Sequence, residues 1–166
     1  MKKLYFPLLV AMIVVTSCQS KPTPVSFDPV TAKAEITKAL DDINEALNSR
    51  DTKAFLSFFT EDGLYCGTDP KEVWDKAAFA KTITEMLADK TYKPNTKVDN
   101  REIRFDKDGN SANVIEQFNT SWSKPVQVRN TMHFVKANNK WLIDFSSLAL
   151  IPENKDLPKI TKVLKK

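Results

Sequence analysis

The most constraining feature of this sequence is a change in the spacing of its apolar residues near Tyr92. Before that point, Ile36, Leu40, Ile43 and Leu47 recur at the spacing of one helical face. After it, apolar and polar residues alternate, as they do in strands with one buried face. Helices followed by consecutive strands indicate an α+β domain with an antiparallel sheet.

Three helices are predicted in the first half, with approximate bounds 28–49, 51–63 and 75–89. Asp28 and Asp51 stand at the first two helix starts, where a carboxylate accepts the free backbone N–H groups of the first turn. The second helix is predicted to carry Phe58 and Phe59 on its inner side and to end at 61–63. A short strand over 64–66 and a turn over 67–72 precede the third helix.

Four strands are predicted in the second half, over 97–106, 111–122, 126–136 and 140–148. The last two are joined by Asn138-Asn139, a pair that tolerates the positive φ of a two-residue hairpin turn. The resulting register places one largely apolar set of pairs on a single face: Phe134 with Ile143, Met132 with Phe145, and Asn130 with Ser147. On the other face it places His133 opposite Asp144.

The first residues have the pattern of an export signal. Lys2 and Lys3 are followed by an apolar run over 4–15, which is too short to span a bilayer. Cys18 follows the small residues Thr16-Ser17, and this resembles the lipobox of bacterial lipoproteins. We therefore predict a signal peptide over 1–17, lipid on Cys18 and a proline-rich tether over 18–29; an ordinary signal peptide is the alternative.

The anchor predicts a location and a partner. Lipid on Cys18 would hold the chain to a membrane of the bacterial envelope. Gln19 follows the cysteine, and resemblance to enterobacterial lipoproteins then implies the outer membrane, with the domain facing the periplasm.

Composition excludes several classes of protein. One His and two Cys leave little for a zinc site, and three Gly with no phosphate-loop motif argue against nucleotide cofactors, so no cofactor or metal is predicted. The net charge of +4 comes from the two ends of the chain, and the near-neutral body suits nucleic acid poorly.

The order of elements resembles the SnoaL-like branch of the nuclear transport factor two-like superfamily. The resemblance covers about 31–150 and rests on the segments 46–51, 58–63, 67–74, 129–131, 140–143 and Ser147. It implies a conical fold, in which three N-terminal helices pack on a curved, mainly antiparallel sheet of four to six strands around a pocket. Some members are isomerases, cyclases or dehydratases, and many dimerise. Members often carry histidines in the last strand, where this chain has Phe145 and Ser147.

Six residues are candidate ligand contacts in such a pocket: Tyr65, Glu116, Phe118, Trp122, Met132 and Phe145. Glu116 shares its strand face with apolar residues, so it is either a ligand-binding or basic group, or it pairs with Arg or Lys. His133 and Asp144 form either an acid–base pair or a polar pair on the solvated or dimer-facing side of the sheet. No residue is assigned a catalytic role.

The remaining motifs also admit two interpretations. Asp69 and Glu72 are either paired catalytic acids or turn-capping groups, and the second is favoured. Cys66 is interpreted as a small core residue rather than a nucleophile. The aromatic residues Trp74 and Trp141 either line a cavity or fill the core. The basic segment 151–166 forms a short amphipathic helix that lies on the domain or near anionic headgroups, or it is a solvated tail.

Three functions remain open at this stage. The first is an anchored domain that binds a small, partly apolar molecule without chemistry. The second is an isomerase-, cyclase- or dehydratase-type enzyme that uses Glu116 or the His133–Asp144 pair. The third is an interaction module, such as a homodimer, that uses the open face of the sheet.

Overall fold

The computed structural model describes residues 27–165. The predicted signal peptide, Cys18 and most of the predicted tether lie outside this range. The secondary structure runs in chain order as α1 (Pro29–Asn48), α2 (Thr52–Leu56), β1 (Phe59–Cys66), β2 (Val73–Trp74), α3 (Lys76–Ala88), β3 (Lys97–Phe105), β4 (Ser111–Asn119), β5 (Gln127–Ala137), β6 (Lys140–Ile151), a short 3₁₀ helix (Asn154–Asp156) and α4 (Leu157–Leu164).

The strands form one six-stranded sheet in the order β2-β1-β6-β5-β4-β3. Strands β1 and β6 run parallel, and the other neighbours run antiparallel. The α+β class and the strand number are as predicted. The expectation of three N-terminal helices is wrong in detail, because residues 27–165 contain four α-helices. One of these, α2, has only five residues, and α4 follows the sheet.

The second helix ends earlier than its aromatic residues suggested. It stops at Leu56, and Phe59 begins strand β1 instead of extending the helix. Phe59 pairs with Ile143 of β6, and the carbonyl of Phe58 accepts a hydrogen bond of 2.8 Å from the amide of Ile143. Because this partner lies far along the chain, local spacing gave no sign of the strand.

The core lies between α1, α3 and the inner face of the sheet. Helix α1 buries Ile36, Leu40 and Ile43 on one face, as the spacing predicted. Strands β4, β5 and β6 contribute inward residues such as Phe134, which is fully buried. Full burial of each large apolar side chain contributes roughly 1.5–3 kcal/mol. Phe27 in the predicted tether packs edge-on against Phe105, so the packed domain includes residue 27.

Arg50 fixes the two long helices relative to each other. It follows α1 with a positive φ of 60°. Its guanidinium donates to the carbonyl oxygens of Leu87 at 2.6 Å and Asp89 at 2.9 Å, at the end of α3. Carbonyls at a helix C-terminus have no partner within the helix, so this contact both caps α3 and holds it beside α1.

A β-bulge in β6 changes the predicted hairpin register. Phe134 pairs with Ile143 as expected, but His133 then pairs with Phe145 rather than Asp144. Beyond the bulge, the partners on the inner face are Met132 with Ser146 and Asn130 with Leu148, so the predicted pairs of Met132 with Phe145 and Asn130 with Ser147 are wrong. One extra residue on a strand reverses which side chains face inward, and Phe145 and Ser147 therefore lie on the outer side.

Candidate functional site

A cavity of about 260 Å³ lies between α1, α3 and the inner face of the sheet. Its walls are mainly apolar and include Leu40, Ile43, Ile83, Phe118 and Met132. Sites for small molecules are concave, mostly apolar and equipped with a few polar groups that fix orientation. This cavity has that character, and its volume lies just below the usual range of about 300–1,000 Å³.

The cavity opens at one end of the sheet. The rim is defined by six exposed or half-exposed lining residues that lie where β1, β4 and β6 end and β3 begins: Gly67, Thr68, Glu72, Thr96, Trp122 and Leu148. Trp122 has 47% of its surface exposed to solvent. Leu148 lies near the end of β6, so the rim lies at the C-terminal end of that strand.

A second hollow of about 740 Å³ is an open groove between α1 and the edge strand β3. Val30 and the aliphatic parts of Lys33 and Lys38 form part of its wall. Val30 is 77% exposed, so water reaches the groove freely. The smaller cavity is the better candidate site because it can remove a ligand from water.

Glu116 lies in the cavity wall with only 4% of its surface exposed. Its Oε1 accepts hydrogen bonds from Nε of Arg101 at 3.0 Å and from Nη2 at 2.6 Å. Nη1 of Arg101 donates a hydrogen bond to Oδ1 of Asp41 at 3.0 Å. Burial raises the pKa of the Glu116 carboxyl above its ordinary value, although Arg101 opposes this shift. Pairing with arginine was one of the two interpretations of this residue.

Asn130 supplies a second polar group to the cavity. It stands directly opposite Glu116 across β4 and β5. Its Oδ1 is buried and makes no hydrogen bond to any residue in the described part of the chain. A buried polar atom without a partner costs roughly 1–3 kcal/mol, so a donor placed here by a ligand would remove that cost. Sequence alternation placed Asn130 on the inner face, but nothing singled it out as a contact.

Four of the six predicted contact residues line the cavity, namely Glu116, Phe118, Trp122 and Met132. Tyr65 does not, because it is fully buried in the core, where it stacks on Phe79 and its hydroxyl donates to the carbonyl of Thr60 at 2.8 Å. Phe145 does not, because the bulge turns it to the outer face. Ser146 takes its place in the wall, and only the bulge reveals it.

His133 and Asp144 lie outside the cavity. Nδ1 of His133 and Oδ1 of Asp144 are 2.7 Å apart, although the two residues are not backbone partners. Both side chains are about one-third exposed, at 33% and 32%, on the outer face of the sheet. The pair therefore has no access to a molecule held in the cavity.

We expect His133→Ala to lower the free energy of unfolding by less than about 1 kcal/mol, because polar pairs that are open to solvent contribute little. Ligand binding in the cavity is expected to be unchanged. Urea unfolding and a binding titration measure the two effects. A large loss of binding with the fold intact would instead place the pair at the functional site.

The Asp69–Glu72 acids hold a turn. Oδ1 of Asp69 accepts from the amide of Lys71 at 2.8 Å, and Oε2 of Glu72 accepts from the amide of Asp69 at 3.0 Å. These contacts shape the loop that carries part of the rim.

Cys66 has a free thiol and lines the cavity, together with Trp74.

Trp141 belongs to the packing rather than to the cavity. It is 5% exposed, and its indole Nε1 donates to Oε2 of Glu35 at 2.8 Å.

In the described part of the chain, no group of three His, Cys, Asp or Glu side chains is placed to hold a metal ion. None of the helices within 27–165 has the length and apolar content needed to cross a bilayer.

The six-stranded sheet and the cavity define an α+β domain with an internal pocket, and comparison with known proteins gives the family. The model of the SnoaL-like domain matches residues 36–150, and the chain belongs to this family. Among curated proteins, none matches the sequence.

Solved structures share the fold at low identity. An NTF2-like protein of unknown function from Pseudomonas putida is 11% identical with a TM-score of 0.64, and the match covers 76% of this chain and 91% of that one. One from Shewanella baltica is 14% identical with a TM-score of 0.60, over 77% and 100% of the two chains. A putative scytalone dehydratase from Novosphingobium aromaticivorans is 18% identical with a TM-score of 0.59, over 74% and 86%.

Proposed function

We propose that this chain is a lipid-anchored domain of the bacterial cell envelope that binds a small, partly apolar molecule in its cavity without chemical change. The observation that carries the proposal is the unpartnered Oδ1 of Asn130 in a mainly apolar cavity. Apolar walls favour an apolar body by about 25 cal/mol for each Å² removed from water. The ligand we infer therefore combines an apolar body with at least one hydrogen-bond donor.

Glu116 supports binding more than proton transfer. A general base needs a carboxylate within reach of the proton that it removes. Oε1 of Glu116 already accepts two hydrogen bonds from Arg101, which orients the carboxylate and stabilises its charged form. Held in this way, Glu116 can accept a hydrogen bond from the ligand and thereby select for donors.

An isomerase-, cyclase- or dehydratase-type enzyme is the second candidate function. It is favoured by one observation, the placement of a buried carboxyl with a raised pKa in the cavity wall. Glu116→Gln distinguishes the two functions. In an enzyme this change abolishes turnover of a bound compound, whereas in a binding domain no turnover exists to be lost.

The test of the binding function uses matched pairs of small ligands. Phenols and medium-chain alcohols carry one donor, and their methyl ethers carry none. We expect the alcohols to bind about tenfold more tightly than the ethers, since satisfying a buried acceptor contributes at least 1 kcal/mol or so. Calorimetry on the chain from Gln19 onward measures both; this chain keeps the whole core, which lies between Ala32 and Ile143.

Asn130→Leu is expected to remove most of the preference for the alcohols, with Glu116 left as the second acceptor in the cavity wall. Thr131→Leu is the matched control, because Thr131 is the next residue on the same strand and is exposed on the opposite face. If no compound of either type binds, or if Thr131→Leu removes the preference as Asn130→Leu does, the cavity is not the ligand site.

The anchor is tested separately. The N-terminal lipobox supports it, since a basic start, an apolar core and small residues all precede Cys18 at the usual spacing. Mass spectrometry of the chain isolated from membranes is expected to show acylation at Cys18, and Cys18→Ser is expected to prevent it. An unmodified cysteine in the exported chain would disprove the anchor.

A further inference from the structure

Helix α4 has an apolar stripe that is not buried. The helix spans eight residues, and none of them is buried. Val163 is 68% exposed and Leu164 79% exposed, and Leu157 and Ile160 are also open to solvent. At roughly 100° per residue, these four side chains share about one-third of the helix circumference. Solvent-exposed apolar residues gathered on one side of a helix indicate a binding surface.

The opposite side of α4 is basic. Lys159, Lys162 and Lys165 project there, and Lys155 precedes the helix. Two acidic residues accompany them: Glu153 pairs with Lys155 at 2.6 Å, and Asp156 pairs with Lys159 at 3.4 Å. Lys162 and Lys165 have no acidic partner in the described part of the chain. The surface therefore combines an apolar stripe with excess positive charge.

The helix follows the strand that forms part of the cavity rim. Ile151 ends β6, and α4 begins six residues later at Leu157. Ser146 and Leu148 of the same strand line the cavity near its opening. The chain thus leaves the sheet at the end where the cavity opens, opposite the Asn138-Asn139 turn.

We propose that α4 lies on the surface of an anionic lipid bilayer and turns the rim of the cavity toward it. An amphipathic helix with lysines on its polar face binds in the interface, with its apolar side among the upper acyl chains. Each lysine near an anionic membrane surface adds attraction to the headgroup phosphates. A protein groove would match the apolar stripe but would not account for the unpaired lysines.

This orientation gives the cavity a route to membrane-soluble molecules. That consequence rests on the proposed function, whereas the binding of α4 to lipid does not, because vesicle binding needs no ligand in the cavity. A failure of ligand binding therefore leaves the membrane result standing, and a failure of vesicle binding leaves the cavity result standing.

The first experiment is vesicle sedimentation with the chain from Gln19 onward, which carries no lipid. The probes are vesicles of phosphatidylcholine alone and vesicles that contain phosphatidylglycerol. We expect binding to the anionic vesicles, and a loss of at least about tenfold in partitioning for Lys162→Glu with Lys165→Glu. Ile160→Asp with Leu164→Asp is expected to cause a similar loss.

The matched control is Lys90→Glu with Lys107→Glu, which makes the same change of net charge at exposed lysines outside α4. Equal loss in the control, equal binding to both kinds of vesicle, or no binding would overturn the proposal. Self-association that disappears in the Ile160→Asp and Leu164→Asp variant would also overturn it, since the stripe would then bind a second copy.

The second experiment tests the orientation of the rim. Brominated lipids quench tryptophan emission only near the bilayer. Trp122 lies at the rim, Trp74 is half-buried in the cavity wall, and Trp141 is buried in the core. We expect brominated anionic vesicles to quench the bound chain, and Trp122→Phe to remove most of that quenching. Binding without quenching would place the rim away from the bilayer.

Discussion

Replacing Arg101 with methionine is expected to destabilise the fold by about 3–5 kcal/mol at pH 7. The guanidinium is 16% exposed and the Glu116 carboxylate 5% exposed, so the pair is largely removed from water. Without Arg101, Glu116 would remain buried as an unpaired charge. The loss is large because the desolvation of the remaining carboxylate is no longer offset by the two hydrogen bonds to Oε1.

The pH dependence of this loss follows from the pKa of Glu116. Burial raises that pKa in the folded chain, and removal of Arg101 takes away a group that lowers it. A carboxyl with a raised pKa favours folding while it is protonated. We therefore expect the variant to recover stability below the unfolded pKa of a glutamate, and to lose it as the pH rises through the folded pKa.

Urea unfolding at several pH values measures both effects. The double variant Arg101→Met with Glu116→Gln is expected to be more stable at neutral pH than Arg101→Met alone, because no charge is then buried. Asp41→Asn is the control for the outer half of the network: Asp41 is 65% exposed, and we expect a loss of under about 1 kcal/mol. Loss of stability in Arg101→Met that is independent of pH would contradict the argument.

Replacing Tyr65 with alanine is expected to cost about 3–5 kcal/mol, which matches the loss of a large aromatic side chain from a packed core. Tyr65 is fully buried, its ring stacks on Phe79 at 4.6 Å between centroids, and it meets Phe59 edge to face at 5.2 Å. Gly63 lies so close to the Tyr65 hydroxyl that a Cβ atom added to Gly63 would be 2.1 Å from the hydroxyl oxygen. The site therefore has little freedom to collapse around a cavity.

Tyr65→Phe separates the ring from the hydroxyl. We expect it to cost about 1–2 kcal/mol, because the single hydroxyl hydrogen is donated to the carbonyl of Thr60 at 2.8 Å, with the Ile143 carbonyl at 3.2 Å as a weaker, shared acceptor. Thermal and urea unfolding measure the series. The ligand affinity of Tyr65→Phe is expected to equal that of the unsubstituted chain. A clear drop in affinity without loss of stability would instead show that Tyr65 contacts the ligand.

The sequence pattern predicted those parts of the fold that depend on local contacts. Ile36, Leu40 and Ile43 face the core because they repeat with the helical period, and Asp28 and Asp51 cap their helices by accepting backbone N–H groups. The two asparagines of the last hairpin both take positive φ, as that turn requires. Inward alternation along β4 placed Glu116 and Phe118 correctly in the wall of the cavity.

The parts that escaped prediction depend on contacts between distant segments. Phe59 begins a strand because Ile143 is its partner, and no spacing near Phe59 records that partner. The bulge beside Asp144 reverses the facing of the last strand, which exchanged Phe145 for Ser146 in the wall. Every second side chain of a strand faces the same side of the sheet only until an inserted residue shifts the alternation. Tyr65 was expected to line the cavity but lies in the core, because core and cavity residues both face inward and alternation does not separate them.

The parallel pairing of β1 with β6 determines when this domain can finish folding. Tyr65 and the Ile143 carbonyl that it contacts are 78 residues apart in the chain. Closing so long a loop is slow relative to forming the adjacent hairpins of β3 to β6. During synthesis, β1 and the aromatic residues that pack against it cannot complete their contacts until the last strand is available. A chain interrupted before β6 would therefore expose that aromatic surface, and a chaperone or protease would meet it there.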